Sequence, residues 1–273
     1  MLLRAFRETR DGLLGLSYPA ECRVCGGAIE SWDDGVACAV CWEDPTITEI
    51  IRNPVCSRCG GPTRHTTFPD LSSRNHSPGG QDRTDSKICA QCDSLPFSAA
   101  RSCGTYSGAL EATILFLKSH PFLCRRMRDL INRTFSEQRA TLDSDLIIPV
   151  PLHRSRERAR GFNQADIIAR VISRRFDLPL DDGSLVRTRP TERHRAGVDA
   201  RDRAESVEGA FSVARPRLIE QTSILLVDDV MTTGSTINAA AKTLVEAGAR
   251  RVCVLTIARV AAGPFPRLTR CAP

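Results

Sequence analysis

The stretch ILLVDDVMTTGSTI, residues 224–237, decides the fold class of this chain of 273 residues. Its first four residues are apolar, which is typical of a strand buried within a parallel sheet. Asp228 and Asp229 follow near the end of that strand, and a hydroxyl-rich turn around Gly234 then leads into a helical pattern. Ligands of open α/β sheets bind outside the carboxyl ends of the strands, so this stretch predicts a binding site at that edge.

The turn that follows the strand is suited to binding an anion. Backbone N–H groups, hydroxyls and the N-terminus of a helix attract phosphate. The stretch has neither the GK[ST] of a Walker P-loop nor a dinucleotide-binding GxGxxG. Two carboxylates can hold a sugar diol whose own phosphate then falls in the turn, so a ribose 5-phosphate fits. The alternative, a helix-capping pair, accounts for one carboxylate but not for two beside TTGST.

The remainder of the chain after about residue 100 alternates between helix-like and strand-like segments. Helices are expected over 108–120, 123–140, 162–176 and 237–249, and buried strands over 145–151, 223–231 and 252–258. This alternation predicts an α/β fold with a mainly parallel, doubly wound sheet.

The first third of the chain is rich in cysteine. Eight of the twelve cysteines form four CxxC pairs: Cys22/Cys25, Cys38/Cys41, Cys56/Cys59 and Cys89/Cys92. Two CxxC turns that face each other make a tetrahedral sulfur site, which suits zinc. An iron–sulfur cluster, a redox dithiol and coincidence are the alternatives. Four pairs argue against coincidence, and the βαβ context of a redox CxxC is absent.

The cysteine pairs contain an internal repeat, CRVCGGA at 22–28 and CSRCGGP at 56–62. We expect two sequential zinc ribbons, each opening with CxxCGG and closing with a plain CxxC. Interleaved pairing of the first pair with the third is the alternative. Four thiolates per ion leave no position for water, so zinc would be structural. The segment 63–87 between the last two pairs has the composition of a flexible inserted loop, in which His65 and His76 are expected to be solvated.

The N-terminal residues predict a short amphipathic helix rather than a signal peptide, because Arg4, Arg7 and Arg10 interrupt the apolar residues. No apolar stretch is long enough to cross a membrane. We therefore expect a cytoplasmic protein that does not insert into membranes. Two domains are predicted: a double zinc ribbon over 1–97, with the leading helix and the inserted loop, and an α/β domain over 98–273.

The net charge of +6 comes with 35 arginines and only 3 lysines. Such a skew is expected from genome base composition, so on its own it decides little about partners. Four arginines nevertheless cluster just beyond a predicted strand: Arg154, Arg156, Arg158 and Arg160. They predict a loop that neutralises pyrophosphate, and a solvated basic turn is the alternative.

The motifs together resemble the ComF family, which joins an N-terminal double zinc ribbon to a type I phosphoribosyltransferase domain. VDDVMTTGST resembles the phosphoribosyl pyrophosphate (PRPP) motif, and PVPLHRSRERARGFNQA at 149–165 resembles the family's PVP…R…RGFNQ segment. AGARRVCVLTIAR at 247–259 also fits. The resemblance covers nearly the whole chain.

The resemblance implies a role for each motif. Asp228 and Asp229 would hold the ribose hydroxyls, directly or around magnesium. The 5-phosphate would be held by Thr232, Thr233, Gly234, Ser235 and Thr236. Arg160 would be the main contact to pyrophosphate, beside Gly161 and Asn163. The stretch 187–211 takes the place of the mobile catalytic hood: Arg203 is retained, but His194 or Arg195 replaces a glutamine and Ser206 an asparagine.

Two classes of function follow from the resemblance. One is an enzyme that binds PRPP with magnesium and transfers phosphoribose to an unknown nitrogen acceptor. The other is a non-catalytic module that senses PRPP, or that binds single-stranded DNA or a competence helicase during DNA uptake. The first domain has few aromatic residues for stacking on bases, among them Trp32, Trp42 and Phe68.

Overall fold

The computed structural model describes residues 21–45, 55–61, 92, 95–190 and 207–260. Several predictions lie outside these ranges: the leading helix, the inserted loop 63–87, Cys89, and the greater part of the hood stretch with His194, Arg203 and Ser206.

The described regular elements begin with a short 3-10 turn at Trp32–Asp34. In chain order they are α1 (Ala39–Trp42), β1 (Ala99–Thr105), α2 (Gly108–Leu117), α3 (Arg125–Glu137), β2 (Leu146–Pro149), α4 (Arg154–Arg160), α5 (Gln164–Phe176), β3 (Leu185–Arg187), β4 (Phe211–Val213), α6 (Pro216–Ile219), β5 (Ser223–Met231), α7 (Ser235–Glu246) and β6 (Arg251–Arg259). None of the described helices is long and apolar enough to span a bilayer.

The main sheet has the order β1-β6-β5-β2, and each neighbouring pair is parallel. β5 lies inside the sheet, and its residues 223–227 are all buried, which is why the run 224–227 is continuously apolar. β3 and β4 form a separate antiparallel pair. The parallel sheet flanked by helices is confirmed.

Alternate residues of β5 and β6 serve two cores, one on each face of the sheet. Leu225 and Val227 pack with α2, α3 and α5, whereas Ile224 and Leu226 pack with α7 and the β3–β4 pair. Because side chains alternate along a strand, apolar residues in succession are needed to fill both cores. The sheet is therefore covered on both faces.

The basic segment after β2 differs from the expected loop, because Arg154–Arg160 form the helix α4. The ring of His153 accepts a hydrogen bond from the Ser155 N–H at 3.3 Å and caps the start of this helix. Gly161, at a φ of 83°, ends it in the left-handed conformation that glycine tolerates. Arginine, glutamate and alanine are good helix formers, so the segment forms a helix between these two caps.

The first cysteine-rich segment packs onto the α/β part of the molecule. Three of its cysteines, Cys22, Cys38 and Cys41, are buried in the same core as α2 and α3. The Arg126 Nε lies 2.6 Å from a carboxylate oxygen of Asp34, which is mostly buried. The division of the chain between residues 97 and 98 stays a prediction.

Candidate functional site

A cavity of about 910 Å³ opens at the carboxyl ends of β2 and β5, where the sequence predicts a ligand. Its lining is Lys118, Ser119, Val150, Pro151, Leu152, Arg156, Ala159, Arg160, Asn163, Gln164, Arg187, Asp228, Asp229, Val230 and Thr236. Of the residues that the sequence assigned to substrate, the cavity brings together the carboxylate pair, Arg160, Asn163 and Thr236.

The carboxylates of Asp228 and Asp229 are oriented by backbone groups of β5. The Asp229 N–H donates to Asp228 Oδ1 at 2.9 Å, and the Val230 N–H donates to Asp229 Oδ1 at 2.7 Å. Burial and the neighbouring charge of Asp229 raise the pKa of Asp228 well above its ordinary value, against the opposing effects of Arg187 and Lys118. Burial also raises the pKa of Asp229, against Lys118 and Arg160. The charged form of both carboxylates is therefore disfavoured in the ligand-free protein. A bound cation, or hydroxyl groups that donate hydrogen bonds, would stabilise it.

The turn between β5 and α7 has the geometry of an anion cradle. Gly234 precedes the helix at a φ of 81°, and the 12 residues of α7 direct their helix dipole towards this turn. The hydroxyls of Thr233 and Ser235 lie 2.8 Å apart, and Thr236 reaches the cavity lining. Thr232 and Thr233 are exposed, and Thr232, Thr233, Gly234 and Ser235 lie outside the cavity lining.

A basic part of the cavity lining is built by α4 and the start of α5. Arg156 and Arg160 line the cavity, whereas Arg154 and Arg158 are exposed and lie outside the lining. One helical turn separates the first two, so they share a face of α4. The helix thus divides the four arginines between the cavity and the solvent.

Asn163 and Gln164 have different roles in this part of the lining. The Asn163 amide caps α5 by accepting from the Ala165 N–H at 3.1 Å, and it donates to the Val150 carbonyl at 3.0 Å. Gln164 is only 3% exposed, and its Nε2 has no hydrogen-bond partner among the residues that the structure describes. A buried amide without a partner is costly unless a ligand satisfies it, so Gln164 fits an anion better than Asn163 does. Gly161, the C-cap of α4, is absent from the lining.

Two cationic residues of the lining were missed by the sequence analysis. Lys118 follows the last residue of α2, and Arg187 ends β3 with its guanidinium 5.3 Å from the centre of the Phe211 ring. Burial and the nearby Arg156 lower the pKa of Arg187, which Asp228 counteracts. Lys118 is one of only three lysines in an arginine-rich chain, and that rarity was the one available signal.

The cysteines form two compact clusters of sulfur atoms. In the first cluster, four Sγ atoms lie within 4.8 Å of one another, those of Cys22, Cys25, Cys38 and Cys41. The Sγ–Sγ distance is 3.7 Å both for Cys22–Cys41 and for Cys25–Cys38. A tetrahedron with metal–sulfur bonds of about 2.3 Å has edges of roughly 3.8 Å, so one zinc ion fits. The first CxxC pair shares one cluster with the second, so sequential pairing is confirmed for the first site.

The second cluster contains Cys56, Cys59 and Cys92, all buried, with Cys56 Sγ and Cys92 Sγ at 3.6 Å. Cys89 lies outside the described residues. The two CGG repeats act alike: the N–H of Gly27 approaches Cys25 Sγ at 3.4 Å, and that of Gly61 approaches Cys59 Sγ at 3.4 Å. Backbone donors of this kind orient metal-binding thiolates, so the clusters support two structural zinc sites.

Two family models match the chain. A double zinc ribbon domain matches residues 13–73, and a phosphoribosyl transferase domain matches residues 159–271. The first contains six of the eight paired cysteines, and the second contains the carboxylate pair and the turn at 232–236.

Among known proteins, the chain is 39% identical to competence protein F of Haemophilus influenzae over 42% of this chain and 50% of that protein. The chain therefore spans about half the length of that relative. It is 27% identical to DNA utilization protein YhgH of Escherichia coli K12, over 89% of this chain and 99% of that protein. Competence protein ComFC of Bacillus subtilis is 28% identical over 62% of this chain and 70% of its own.

Among solved structures, a purine phosphoribosyltransferase from Pyrococcus horikoshii Ot3 is similar at 15% identity. The similarity covers 52% of this chain and 93% of that one, with a TM-score of 0.32.

Proposed function

Because this chain matches the ComF family, in which a double zinc ribbon precedes a phosphoribosyltransferase domain, we propose that its cavity binds PRPP together with magnesium. One observation carries the proposal. The carboxylate pair Asp228–Asp229 stands in a cavity whose described lining also holds four cationic side chains, Lys118, Arg156, Arg160 and Arg187.

The two sides of the cavity match the two ends of this substrate. The turn at 232–236 offers hydroxyls and a helix N-terminus to the 5-phosphate. Arg156, Arg160 and the Gln164 amide, in the basic part of the lining, face the diphosphate. Asp228 and Asp229 then fall at the ribose, where they accept from its hydroxyls or bind magnesium. Magnesium would supply positive charge to the diphosphate leaving group.

As an enzyme, the protein would catalyse phosphoribosyl transfer to a nitrogen nucleophile. The bond between C1 of the ribose and the diphosphate oxygen breaks, its electron pair leaves with pyrophosphate, and a C1–N bond forms. Arg156 and Arg160 stabilise the charge that develops on the leaving group, and the phosphate turn holds C1 in position. The acceptor's proton leaves to solvent or to a basic group of the acceptor site.

Calorimetric titration of PRPP with magnesium into the zinc-loaded protein tests the proposal. We expect saturable binding by the wild type and a loss of at least about 100-fold in affinity in the double variant Asp228→Asn, Asp229→Asn, because a charge-assisted contact contributes roughly 1.5–3 kcal/mol. Asp182→Asn is the matched control, since Asp182 is an exposed carboxylate outside the cavity. No binding by a folded wild type would contradict the proposal.

A second candidate function is a competence-related module that binds single-stranded DNA. Arg128 and Arg133 are exposed on α3, and Arg174 and Arg175 are exposed on α5, which packs on α3 through Phe135 and Phe176. The names of the relatives, competence protein and DNA utilization protein, agree with such a role.

Binding of labelled single-stranded DNA at increasing salt separates the two candidates. If arginines of α3 and α5 contact phosphates, log affinity falls linearly with log salt, by about 0.7 for each phosphate neutralised. Arg133→Gln with Arg174→Gln then lowers the slope while PRPP binding is retained. DNA binding that is absent or independent of salt excludes this candidate.

A further inference from the structure

The side chain of Arg259 links the second cysteine cluster to the strand that carries the carboxylate pair. Arg259 is the last residue of β6, and its Nη1 donates to the Cys59 carbonyl at 2.6 Å. The same Nη1 lies 3.4 Å from the Met231 sulfur, and Nη2 lies 3.9 Å from the Cys59 sulfur. One guanidinium thus contacts a cysteine of the cluster and the last residue of β5.

On the cluster side, the turn Cys56–Gly61 is fixed against β1 and the segment preceding it. The Ala100 N–H donates to the Arg58 carbonyl at 2.6 Å, and Arg101 Nη1 donates to the Ser57 carbonyl at 3.1 Å. Arg58 itself donates to the carbonyls of Leu95 and Phe97. The position of the Cys59 carbonyl is therefore set by the fold of the cysteine turn, which its metal would hold together.

On the cavity side, Met231 lies between Arg259 and the phosphate turn. Its side chain is buried, and its carbonyl accepts from the Val260 N–H at 3.0 Å. A Cβ atom built on Gly234 would lie 3.1 Å from Met231 Cε, so this methyl group packs against the glycine at the centre of the turn. A shift of Met231 cannot occur without a change in the packing of Gly234.

We propose that Arg259 is a positioning residue through which the second zinc site holds the phosphate turn in its binding conformation. This inference rests on the proposed function of that turn. It goes beyond a structural role for zinc, because it assigns the second ion, and not the first, an effect on the affinity for ribose 5-phosphate. The first cluster packs instead on α2 and α3.

Titrations with ribose 5-phosphate and with inorganic pyrophosphate test the assignment, because the first ligand depends on the turn at 232–236 and the second on the basic residues of α4. In Arg259→Gln we expect the affinity for ribose 5-phosphate to fall about tenfold, within the usual range of coupling between sites, and that for pyrophosphate to stay within about twofold. The matched control is Arg251→Gln. Arg251 stands at the other end of β6 and also donates to a backbone carbonyl, that of Thr141, at 2.8 Å.

Zinc release to a coloured chelator supplies a second readout that general destabilisation would not give. Coupling between binding free energies is reciprocal, so ribose 5-phosphate should raise the affinity for one of the two zinc ions about tenfold in the wild type, measured by equilibrium competition with the chelator. The other ion, bound by the first cluster, is the internal control. Arg259→Gln removes the difference. Should this variant fold poorly, Met231→Leu keeps the volume and loses the contact with the guanidinium, and a smaller shift in the same direction is expected.

The outcomes separate this inference from the function on which it rests. If the wild type binds neither ribose 5-phosphate nor PRPP, both the proposed function and the role of Arg259 are contradicted. A wild type that binds ribose 5-phosphate, together with Arg259 and Met231 variants of unchanged affinity for this ligand and for zinc, overturns the role of Arg259 alone. Equal losses for ribose 5-phosphate and pyrophosphate overturn it as well, because they indicate general disruption of the fold.

Discussion

Asp228 carries a free-energy cost in the ligand-free protein. Its pKa is higher in the folded state than in an unfolded chain because burial and Asp229 disfavour its charge. The folded state is then favoured most below the ordinary aspartate pKa of about 3.9, and it loses that advantage as the pH rises through the raised value. Residues that serve binding commonly reduce stability in this way.

The variant Asp228→Asn should therefore be more stable than the wild type at pH 7.5 in magnesium-free buffer, with a difference that shrinks as the pH approaches 4. Urea unfolding across this pH range measures the effect. Adding PRPP with magnesium should reverse the order, since only the wild type gains ligand stabilisation. A variant less stable than the wild type at pH 7.5 would contradict the assignment of the raised pKa.

Gly234 has a backbone conformation that other residues adopt only with strain. Gly234→Ala should cost about 1–2 kcal/mol of stability, the usual cost of the left-handed region. It should also weaken ribose 5-phosphate binding about tenfold, because the added methyl displaces Met231. Gly248→Ala is the control: its φ is 91° and its nearest neighbour is 3.5 Å away, remote from the cavity. Urea unfolding and calorimetry on both variants check this, and equal loss of ligand binding in the two would refute it.

At the scale of single residues, the sequence predicts what lies close together along the chain. The carboxylate pair, the turn and Arg160 are local to two motifs. Lys118 and Arg187 reach the same cavity from α2 and β3, and no local pattern marks them, because tertiary packing alone brings them there. Asn163 belongs to the same motif as Arg160, but its side-chain amide caps α5.

At the scale of elements, α4 shows how a helix selects among neighbouring charges. The sequence analysis predicted the cluster and named Arg160 as the main contact, but it did not predict that Arg156 lines the cavity as well, because that depends on helical rather than extended geometry. The strands β1, β3 and β4 were also not predicted. β1 contains Arg101, Ser102 and Gly104, which obscure the apolar pattern of a strand.

This selection can be tested with two double variants of equal charge. Arg156→Gln with Arg160→Gln should weaken pyrophosphate binding at least about 100-fold, given roughly 1.5–3 kcal/mol for each hydrogen bond to a charged group. Arg154→Gln with Arg158→Gln, on the exposed face, should change it less than about threefold at physiological salt, where exposed charges are screened. Titration of inorganic pyrophosphate distinguishes the pairs, and similar losses in both would show that net charge alone matters.

At the scale of the whole molecule, the first cysteine cluster and the α/β sheet share a hydrophobic core. The sequence predicts two domains but does not predict this shared core, since cysteine spacing carries no information about what a ribbon packs against. Interactions such as Asp34 with Arg126 join the two parts. We expect them to unfold together.

Cys41→Ser should therefore lower the zinc content by one ion per chain and the free energy of unfolding by more than about 4 kcal/mol, as loss of a structural metal does. Unfolding should remain a single transition rather than split into two. Cys103→Ala, a buried cysteine outside both clusters, should keep its zinc and lose about 1 kcal/mol. Atomic absorption and calorimetric melting measure both quantities, and an unchanged zinc content in Cys41→Ser would contradict the four-sulfur site.

The contact between the turn Cys56–Gly61 and β1 has one more consequence. β1 is an edge strand of the main sheet, and the N–H of Ala100 is occupied by the Arg58 carbonyl. Glycine is required at position 60, since a Cβ there would overlap the Ala100 carbonyl oxygen. An uncovered edge invites pairing with strands of other molecules. Removal of zinc should therefore cause the protein to aggregate by edge-to-edge association before it unfolds, so the ribbon also protects the solubility of its sheet.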